Sequence, residues 1–564
     1  MLKLEQVIDE EGKVLYIKSN VLGQDLLTNP KLNKGSAFSH SERRQFHLMG
    51  KLPYHVETIQ QQVMRIYQQY SRQNSDLAKH VYLRNLHDTN ETLFYKLVSE
   101  HLHEMLPIIY TPTISTAVEQ FSLEFRRSRG LYIAYPDREH IDEIIDNRLN
   151  SKIDIIVMTD GEAVLGIGDQ GIGGINICIA KLMVYVICGG ANPHRLLPIQ
   201  IDVGTNNPIL LNDPMYLGWR HPRLVGTEYD DMIARVVAAI QKKIPYVYLH
   251  WEDFGRENAR RNLQYSQPRL CTFNDDMQGT GAVTLAALLT AIKLTKIPLA
   301  EQRIVIFGAG TAGTGIADQL CAGMMREGLS KEHACSRLYL VDKQGLLNEQ
   351  MIPALNEFQR PYACHSTAME NLATVVRQVK PTVLIGCSGQ NGSFTETIVK
   401  TMAAGTARPI IFPLSNPTEK AEATPAALLH WTNGRALIAT GSPFPNVEFH
   451  HQTFRIAQCN NALIYPGIGL GIVVSKAAHL SDAMLWKACQ ALSNYPLDLE
   501  NFDGALLPDF FKIQQISKTI ALAVAEQAYR EGVVRISGDI DFSKRMESQF
   551  WLPQYYDYQY CPNL

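Results

Sequence analysis

Residues 303–313 read RIVIFGAGTAG, the segment of the chain with the most specific structural pattern. A short apolar strand runs directly into a glycine-rich turn, and a helical pattern that begins TGIADQL follows it. This order is typical of a dinucleotide-binding unit, because the tight turn lets backbone N–H groups at the helix N-terminus bind a pyrophosphate. We therefore predict a dinucleotide site formed by Gly308, Gly310, Thr311, Ala312 and Gly313.

The pattern continues downstream of this turn. The next strand, RLYLVD, ends in Asp342, where a carboxylate can accept hydrogen bonds from ribose hydroxyls. Short β-branched segments at 382–389, 409–418 and 436–443 are separated by helical patterns. Such alternation predicts a doubly wound parallel sheet with cofactor contacts at the strand ends. The alternative, a sheet of this kind with a purely structural role and no cofactor, is disfavoured because Gly308, Gly310 and Gly313 are all present.

Upstream, residues 249–281 contain two apolar runs that both end in acids. The first is followed by Glu252 and Asp253, and the second by Asn274, Asp275 and Asp276. These acids could cap the helices that follow. Because both runs end this way, we favour a metal site, and all-oxygen ligands suit Mg²⁺ or Mn²⁺ better than zinc.

Three other features are ambiguous from the sequence alone. A second match to the letters of a dinucleotide motif is formed by Gly166, Gly168 and Gly171. The next helix starts several residues after this motif rather than directly at it, so we expect the glycines to serve a tight turn or close packing. Lys181 lies in an otherwise apolar helix, where it either extends to the surface or acts as a base with a lowered pKa. Tyr110 follows a helix expected to end at Pro107 and by itself indicates only a half-buried aromatic.

Composition excludes several classes of protein. The 564 residues predict two to four domains, with 46% hydrophobic and 19% charged residues. A net charge of −3 gives no reason to expect a nucleic-acid partner. Ten cysteines without CxxC spacing indicate reduced thiols and a cytoplasmic protein. Neither a signal peptide nor a membrane span is expected, since the apolar stretch 175–188 is too short.

Taken together, the chain resembles the malic enzymes over nearly its whole length, most closely the bacterial NAD-dependent malic enzymes and the related malolactic enzymes. The segments that carry the resemblance are LNKGSAF (32–38), NETLFY (90–95), PIIYTPT (107–113), LGIGDQGIGG (165–174), DVGTNN (202–207), LLNDP (210–214), WEDF (251–254), TFNDDMQGT (272–280), GAGTAG (308–313), LSNPT (414–418) and QCNN (458–461).

The resulting expectation is a multidomain α/β protein. We predict a mostly helical region at 1–128 and an α/β substrate and metal domain at 129–274, completed by 461–533. A Rossmann-type, doubly wound NAD domain is expected at 275–460. The aromatic tail at 534–564 is expected to contact another subunit of a homodimer or homotetramer.

The resemblance also implies residue roles. Tyr110 would be the general acid, Lys181 the general base, and Asp275 the partner of that lysine. Glu252, Asp253 and Asp276 would bind Mn²⁺ or Mg²⁺. Asn416 and Asn461 would contact the substrate, L-malate, or the nicotinamide.

Three positions bear on cofactor and activity. Many NADP-dependent relatives place a lysine where this chain has the uncharged Gln359. Asp342 would also repel the 2′-phosphate of NADP, so NAD is favoured. Two cations, Lys343 and Arg360, lie near these positions in the sequence and could still attract such a phosphate. Many malic enzymes bind the substrate carboxylate with an arginine where this chain has Ala163, so another group must do so. Thr89 stands where animal relatives have an arginine for fumarate activation, which we therefore do not expect.

The main functional prediction is oxidative decarboxylation of L-malate to pyruvate and CO₂ with reduction of NAD⁺. The first alternative is malolactic activity, which gives L-lactate while NAD is retained. The second is a non-catalytic NAD-binding regulator, which would need neither Tyr110, Lys181 nor the three carboxylates.

Overall fold

The computed structural model describes residues 4–8, 14–148, 150, 152–164, 166–366, 369–495 and 502–564. The N-terminal region is mostly helical, as the apolar spacing predicts. Its elements are β1 (Leu4–Ile8), β2 (Val14–Ser19), α1 (Gly23–Thr28), α2 (His40–Gln45), α3 (Ile59–Ser71), α4 (Asp76–His87), α5 (Glu91–Glu100), α6 (Leu102–Ile109), α7 (Thr113–Glu119) and α8 (Phe121–Glu124).

Helix α6 positions Tyr110. The expectation that the helix ends at Pro107 is wrong, since it continues to Ile109. Pro107 lies in the last turn of a short helix, where the missing N–H removes only one backbone hydrogen bond. Tyr110 is the C-cap residue, and its N–H donates to the Leu106 carbonyl oxygen at 2.9 Å. Its side chain is buried rather than half-buried.

The first α/β unit is a parallel sheet of five strands in the order β3-β5-β4-β6-β7. Trp251 of β6 is the register partner of Asn274 of β7, so the acids that follow both strands emerge side by side. The elements are β3 (Leu131–Ala134), α9 (Ile141–Asp146), β4 (Ile155–Thr159), α10 (Ile175–Gly189), β5 (Leu196–Asp202), α11 (Pro208–Asn212), α12 (Gly226–Lys243), β6 (Tyr248–Trp251), α13 (Arg256–Ser266) and β7 (Cys271–Asn274).

The second unit is a sheet of seven strands in the order β10-β9-β8-β11-β12-β13-β16, parallel except for β10. The strand order reverses between β8 and β11, the position at which doubly wound sheets bind ligands. The elements are α14 (Thr280–Thr295), β8 (Ile304–Phe307), α15 (Thr311–Arg326), α16 (Lys331–Cys335), β9 (Leu338–Asp342), β10 (Gly345–Leu346), α17 (Leu372–Val379), β11 (Val383–Gly386), α18 (Glu396–Gly405), β12 (Ile410–Pro413), α19 (Pro425–Trp431), β13 (Leu437–Thr440), β14 (Val447–Phe449), β15 (Gln452–Phe454) and β16 (Ala457–Gln458).

The C-terminal helices return to the first unit. These elements are α20 (Tyr465–Ser475), α21 (Asp482–Ser493), α22 (Ile513–Arg530), α23 (Phe542–Gln549) and the strand β17 (Asp557–Tyr560). Helices α20 and α22 pack against each other and against α10. Gly467 and Gly469 permit this contact, since a Cβ there would lie 2.7 Å from Ile520 and 2.5 Å from Tyr185, respectively.

The aromatic tail packs largely on its own chain. Strand β17 pairs in parallel with β2, and Tyr558 is buried. Tyr555 Oη donates to Gln62 Oε1 at 2.8 Å, and Trp551 packs against Tyr95. Trp551, Tyr555 and Tyr558 therefore pack within one chain, and the expected contact of the tail with another subunit stays a prediction.

Two helical stretches, Gly171–Gly189 and Asp275–Thr295, are long and apolar enough to cross a membrane. However, 94% and 72% of their apolar windows are buried inside the protein, as in the core helices of many globular proteins.

Candidate active site

Three carboxylates meet at the carboxyl ends of β6 and β7. One oxygen from each of Glu252, Asp253 and Asp276 lies within 4.8 Å of the other two. None of the three caps a helix with its side chain: Asn274 accepts from the Met277 N–H, and the N-cap of α13 is Gly255, without a side-chain hydrogen bond. Asp253 has φ +57°, a left-handed conformation that is uncommon for a non-glycine residue, and its N–H donates to Asp276 Oδ2 at 2.8 Å.

The electrostatics of this cluster fit a divalent cation. Burial raises the pKa of Glu252 to about 8, despite the opposing charge of Lys181. Burial, together with the charge of Glu252, raises the pKa of Asp276 well above its ordinary value. Crowded, desolvated carboxylates of this kind are stabilised in their charged form by a bound cation, and their oxygens suit Mg²⁺ or Mn²⁺.

His250 supports the cluster from within the core, a residue that the sequence analysis missed. Its Nε2 lies 2.7 Å from Glu252 Oε2, and its Nδ1 lies 2.8 Å from Tyr185 Oη. Burial lowers the pKa of His250 to about 3, so the ring is neutral. With a cation bound, Glu252 is ionised and can only accept, so Nε2–H donates to it and Nδ1 accepts from Tyr185. His250 thus orients Glu252 and has no nitrogen left for a metal ion.

Lys181 reaches this cluster from α10. Its side chain is 2% exposed, and its Nζ contacts Asp275 Oδ2 and lies 3.0 Å from Glu252 Oε1. Asn461 donates through Nδ2 to Asp275 Oδ2 at 3.0 Å. The alternative that Lys181 extends to the surface is therefore wrong, because two buried carboxylates hold its ammonium inside.

The expected lowering of the Lys181 pKa is not produced by the protein groups alone. Burial acts to lower this pKa, but Asp275 and Glu252 outweigh it and hold the pKa well above its ordinary value. A cation bound by Glu252 would offset one of these two charges and act in the opposite direction. The prediction of a lowered pKa is reversed because two buried carboxylates, Asp275 and Glu252, contact the ammonium.

Tyr110 lies next to Lys181, whose Nζ is 5.4 Å from the centre of the tyrosine ring. Burial raises the pKa of Tyr110 above its ordinary value, although Lys181 opposes this shift. The phenol is therefore protonated at neutral pH. A protonated phenol beside an ammonium can donate a proton to a reacting atom and regain one from its neighbour.

The glycine turn has the predicted strand–turn–helix geometry. Gly308 has φ +112°, and a Cβ there would lie 2.6 Å from the Cys387 carbonyl oxygen. Gln359 Nε2 donates to the Ala309 carbonyl oxygen at 2.9 Å and to Asp342 Oδ2 at 3.1 Å. The uncharged Gln359 therefore lies beside the acid expected to bind ribose, an arrangement that suits a 2′-hydroxyl better than a 2′-phosphate.

Arg256 covers the glycine turn from the first unit and was not singled out from the sequence. A Cβ at Gly310 would lie 3.0 Å from Arg256 Nη2, and Arg256 Nη1 is 3.7 Å from Asp342 Oδ2. Its position two residues after the WEDF segment was a signal that the sequence offered. A guanidinium at this place suits an anionic phosphate group.

We predict that Gly313→Ala weakens dinucleotide binding and lowers the free energy of unfolding. The new Cβ would lie 1.8 Å from the Gly308 carbonyl oxygen, so the turn must move, at a cost of about 1–3 kcal/mol. Thermal melting and NAD⁺ titration measure both effects. Gly405→Ala in α18 is the control, since its Cβ would meet nothing within 4 Å. Unchanged melting and affinity in Gly313→Ala would contradict the described packing.

One cavity of about 540 Å³ joins the two units. The predicted residues on its wall are Tyr110, Lys181, Glu252, Asp253, Asp276, Ala312, Asn416 and Asn461. Asp275 lies behind the wall and contacts Lys181. Gly308, Gly310, Thr311, Gly313 and Asp342 lie at the adjoining turn and strand end rather than on this wall. Asn416 is held by Ser442, whose Oγ donates to Asn416 Oδ1 at 2.6 Å.

Val164, Gly166 and Ile167 lie on one side of the cavity wall. The Ala163 N–H donates to the Asp253 carbonyl oxygen at 2.9 Å, and the Ala163 side chain is exposed. Gly166 has φ +78°, and a Cβ there would lie 3.1 Å from Pro417 Cδ of the second unit. The glycine motif at Gly166, Gly168 and Gly171 thus serves turns and close packing, as we expected because the next helix does not start directly after it.

Comparisons with known proteins agree with this geometry. Residues 87–266 match the profile "Malic enzyme, N-terminal domain", and residues 277–529 match "Malic enzyme, NAD binding domain". A relative named NAD-dependent malic enzyme from Vibrio parahaemolyticus is 48% identical over 98% of this chain and 99% of its own. A protein of the same name from Shewanella sp. (strain MR-4) is 49% identical, with the same shares covered.

The fold has a counterpart among solved structures. The crystal structure of Entamoeba histolytica malic enzyme superposes with a TM-score of 0.55 at 21% identity, covering 89% of each chain. The two profiles, the full-length relatives and the cavity shared by the glycine turn and the carboxylate cluster lead to one conclusion: this chain belongs to the malic enzyme family.

Proposed function

We propose that the protein catalyses oxidative decarboxylation of L-malate to pyruvate and CO₂, with NAD⁺ as the oxidant and Mn²⁺ or Mg²⁺ as the metal. The observation that carries the proposal is a single cavity bordered by Lys181, Tyr110 and the carboxylates Glu252, Asp253 and Asp276. A protein that only binds NAD needs none of these groups. The full-length relatives named NAD-dependent malic enzyme support the same activity.

Each residue has a task that follows from its surroundings. With a cation at the carboxylate cluster to offset the charge of Glu252, Lys181 would be neutral before the reaction, and its Nζ would take the proton of the malate C2 hydroxyl. Asp275, fixed by Asn461, orients the ammonium that forms. When bound, NAD⁺ supplies the hydride acceptor and the cation supplies Lewis-acid polarisation of the C2 oxygen. Tyr110 protonates C3 after CO₂ has left, and Lys181 then returns a proton to the phenolate. The protons balance: one leaves the hydroxyl, and one arrives at carbon.

An assay for NADH with L-malate, NAD⁺ and Mn²⁺, combined with product analysis, tests the proposal. We expect equal amounts of NADH and pyruvate, and a loss of activity on chelation that Mn²⁺ restores. Lactate without net NADH would instead indicate malolactic activity. NAD binding without any malate turnover would indicate a regulatory protein.

We further propose a cytoplasmic homodimer or homotetramer. All ten cysteines are free, which suits a reducing compartment. Light scattering on the purified protein distinguishes dimer, tetramer and monomer.

A further inference from the structure

The cavity carries an unbalanced charge for an anionic substrate. Its wall has four acids, Glu119, Glu252, Asp253 and Asp276. Among the described residues on the wall, the cations are Lys181 and Lys420. Lys181 is held by Asp275 and Glu252. A substrate with two carboxylates therefore needs a further positive group, and Lys420 is the cation left to provide it.

Lys420 is fixed at the junction of the two units. It ends the short turn Thr418–Lys420, directly after Asn416 and Pro417, and its N–H donates to the Pro417 carbonyl oxygen at 2.8 Å. Two residues further on, the buried Glu422 accepts hydrogen bonds from Ser388 and Ser415 and so ties this turn to the ends of β11 and β12. The backbone that carries Lys420 is therefore anchored.

The ammonium of Lys420 crosses to the opposite wall. Its Nζ donates to the Gly166 carbonyl oxygen at 2.7 Å, and its side chain is half-buried. An ammonium has three N–H donors. Within the described part of the chain, Lys420 Nζ makes this one hydrogen bond, which uses one of its three N–H donors. Two donors remain for a ligand in the cavity.

The described residues at 163–164 and 166–168 give no alternative cation. Ala163 ends in a methyl group and contributes its N–H to Asp253. Gly166 offers a carbonyl oxygen, which attracts an ammonium but repels a carboxylate. Lys420, held by the Gly166 carbonyl oxygen, therefore lies at the side of the cavity where the wall lacks positive charge.

We propose that Lys420 binds a carboxylate of the substrate. The side chain of Ala163 has no charged group with which to do so. This inference rests on the proposed malate oxidation. Lys420 belongs to the NAD-binding unit, whereas the metal ligands belong to the first unit. A bound dicarboxylate therefore links the two units, with Lys420 at one end and the Glu252, Asp253 and Asp276 cluster at the other.

Three variants separate charge from structure. Lys420→Arg keeps the charge, Lys420→Gln keeps an N–H donor for Gly166 without charge, and Lys420→Met keeps neither. We expect Lys420→Gln and Lys420→Met to raise KM for malate by roughly 10- to 100-fold, the range for losing a hydrogen bond to a charged group. We expect Lys420→Arg to stay within a few-fold of the unaltered protein. The exposed Lys400, paired with Glu396 on α18, is the control as Lys400→Gln.

A binding measurement complements the kinetics. Calorimetric titration of tartronate, a dicarboxylate analogue, into protein saturated with Mn²⁺ and NADH should show the same loss of affinity in Lys420→Gln and Lys420→Met. Affinity for NAD⁺ alone and the melting temperature should be unchanged in all variants. A merely structural role would instead leave Lys420→Gln like the unaltered protein.

The outcomes are distinguishable. An active unaltered protein whose Lys420→Gln variant keeps both KM and tartronate affinity would overturn this inference alone. Absence of malate oxidation and of tartronate binding in the unaltered protein would overturn the proposed function and this inference with it.

Discussion

Replacement of Lys181 by alanine is expected to lower kcat for malate oxidation by roughly 10²- to 10⁴-fold, the usual contribution of a general base. Lys181 is the buried amine in contact with Asp275 and Glu252 on the cavity wall. NAD⁺ affinity should stay within about twofold, because the predicted contacts of the dinucleotide lie at the glycine turn. Stopped turnover with normal NAD⁺ binding, measured by kinetics and by fluorescence titration, is the expected pattern.

The alanine variant also removes the partner of two buried carboxylates, which costs about 3–5 kcal/mol when a buried ion pair is broken. Lys181→Arg avoids this problem, since arginine keeps the positive charge but is not deprotonated in proteins. We expect that variant to fold and to be inactive. Near-normal turnover in either variant would remove Lys181 as the base.

Asp276→Asn is expected to weaken Mn²⁺ binding by at least about 100-fold, the upper range for losing even an outer-sphere contact. Its effect on stability should have opposite signs with and without metal. Without metal, burial and the neighbouring Glu252 raise the pKa of Asp276 well above its ordinary value, so folding at neutral pH requires a proton uptake that costs stability. The neutral amide avoids this cost, so the melting temperature should rise. With Mn²⁺, the stabilisation that ligand binding gives the unaltered protein should be lost.

Melting curves with and without Mn²⁺ and a calorimetric Mn²⁺ titration test this crossover. Glu257→Gln is the control, because Glu257 is exposed on α13 close in sequence to the metal ligands. It should leave Mn²⁺ affinity unchanged. A variant of Asp276 that retains the Mn²⁺-dependent rise in melting temperature would show that Asp276 is not a ligand.

Local patterns were sufficient for most of the fold. The apolar run into Gly308 predicted β8, the turn and α15, because a glycine turn between a strand and a helix is a local arrangement with its own steric requirements. The acids after β6 and β7 predicted a cluster, because parallel neighbouring strands deliver the residues that follow them to one edge. The prediction that α6 ends at Pro107 was wrong because a proline near the end of a helix is tolerated.

Apolar periodicity and residues close in the chain were enough to predict the two α/β units, the glycine turn and the set of carboxylates. Tertiary packing was needed to establish that Asp275 and Glu252 contact the Lys181 ammonium, that His250 orients Glu252, and that Lys420 reaches Gly166. Apart from His250 and Glu252, which lie two residues apart at the end of β6, these contacts join residues from different strands, helices or units. A pKa or a binding role depends on the charges within a few ångströms, and that neighbourhood is set by packing rather than by sequence spacing.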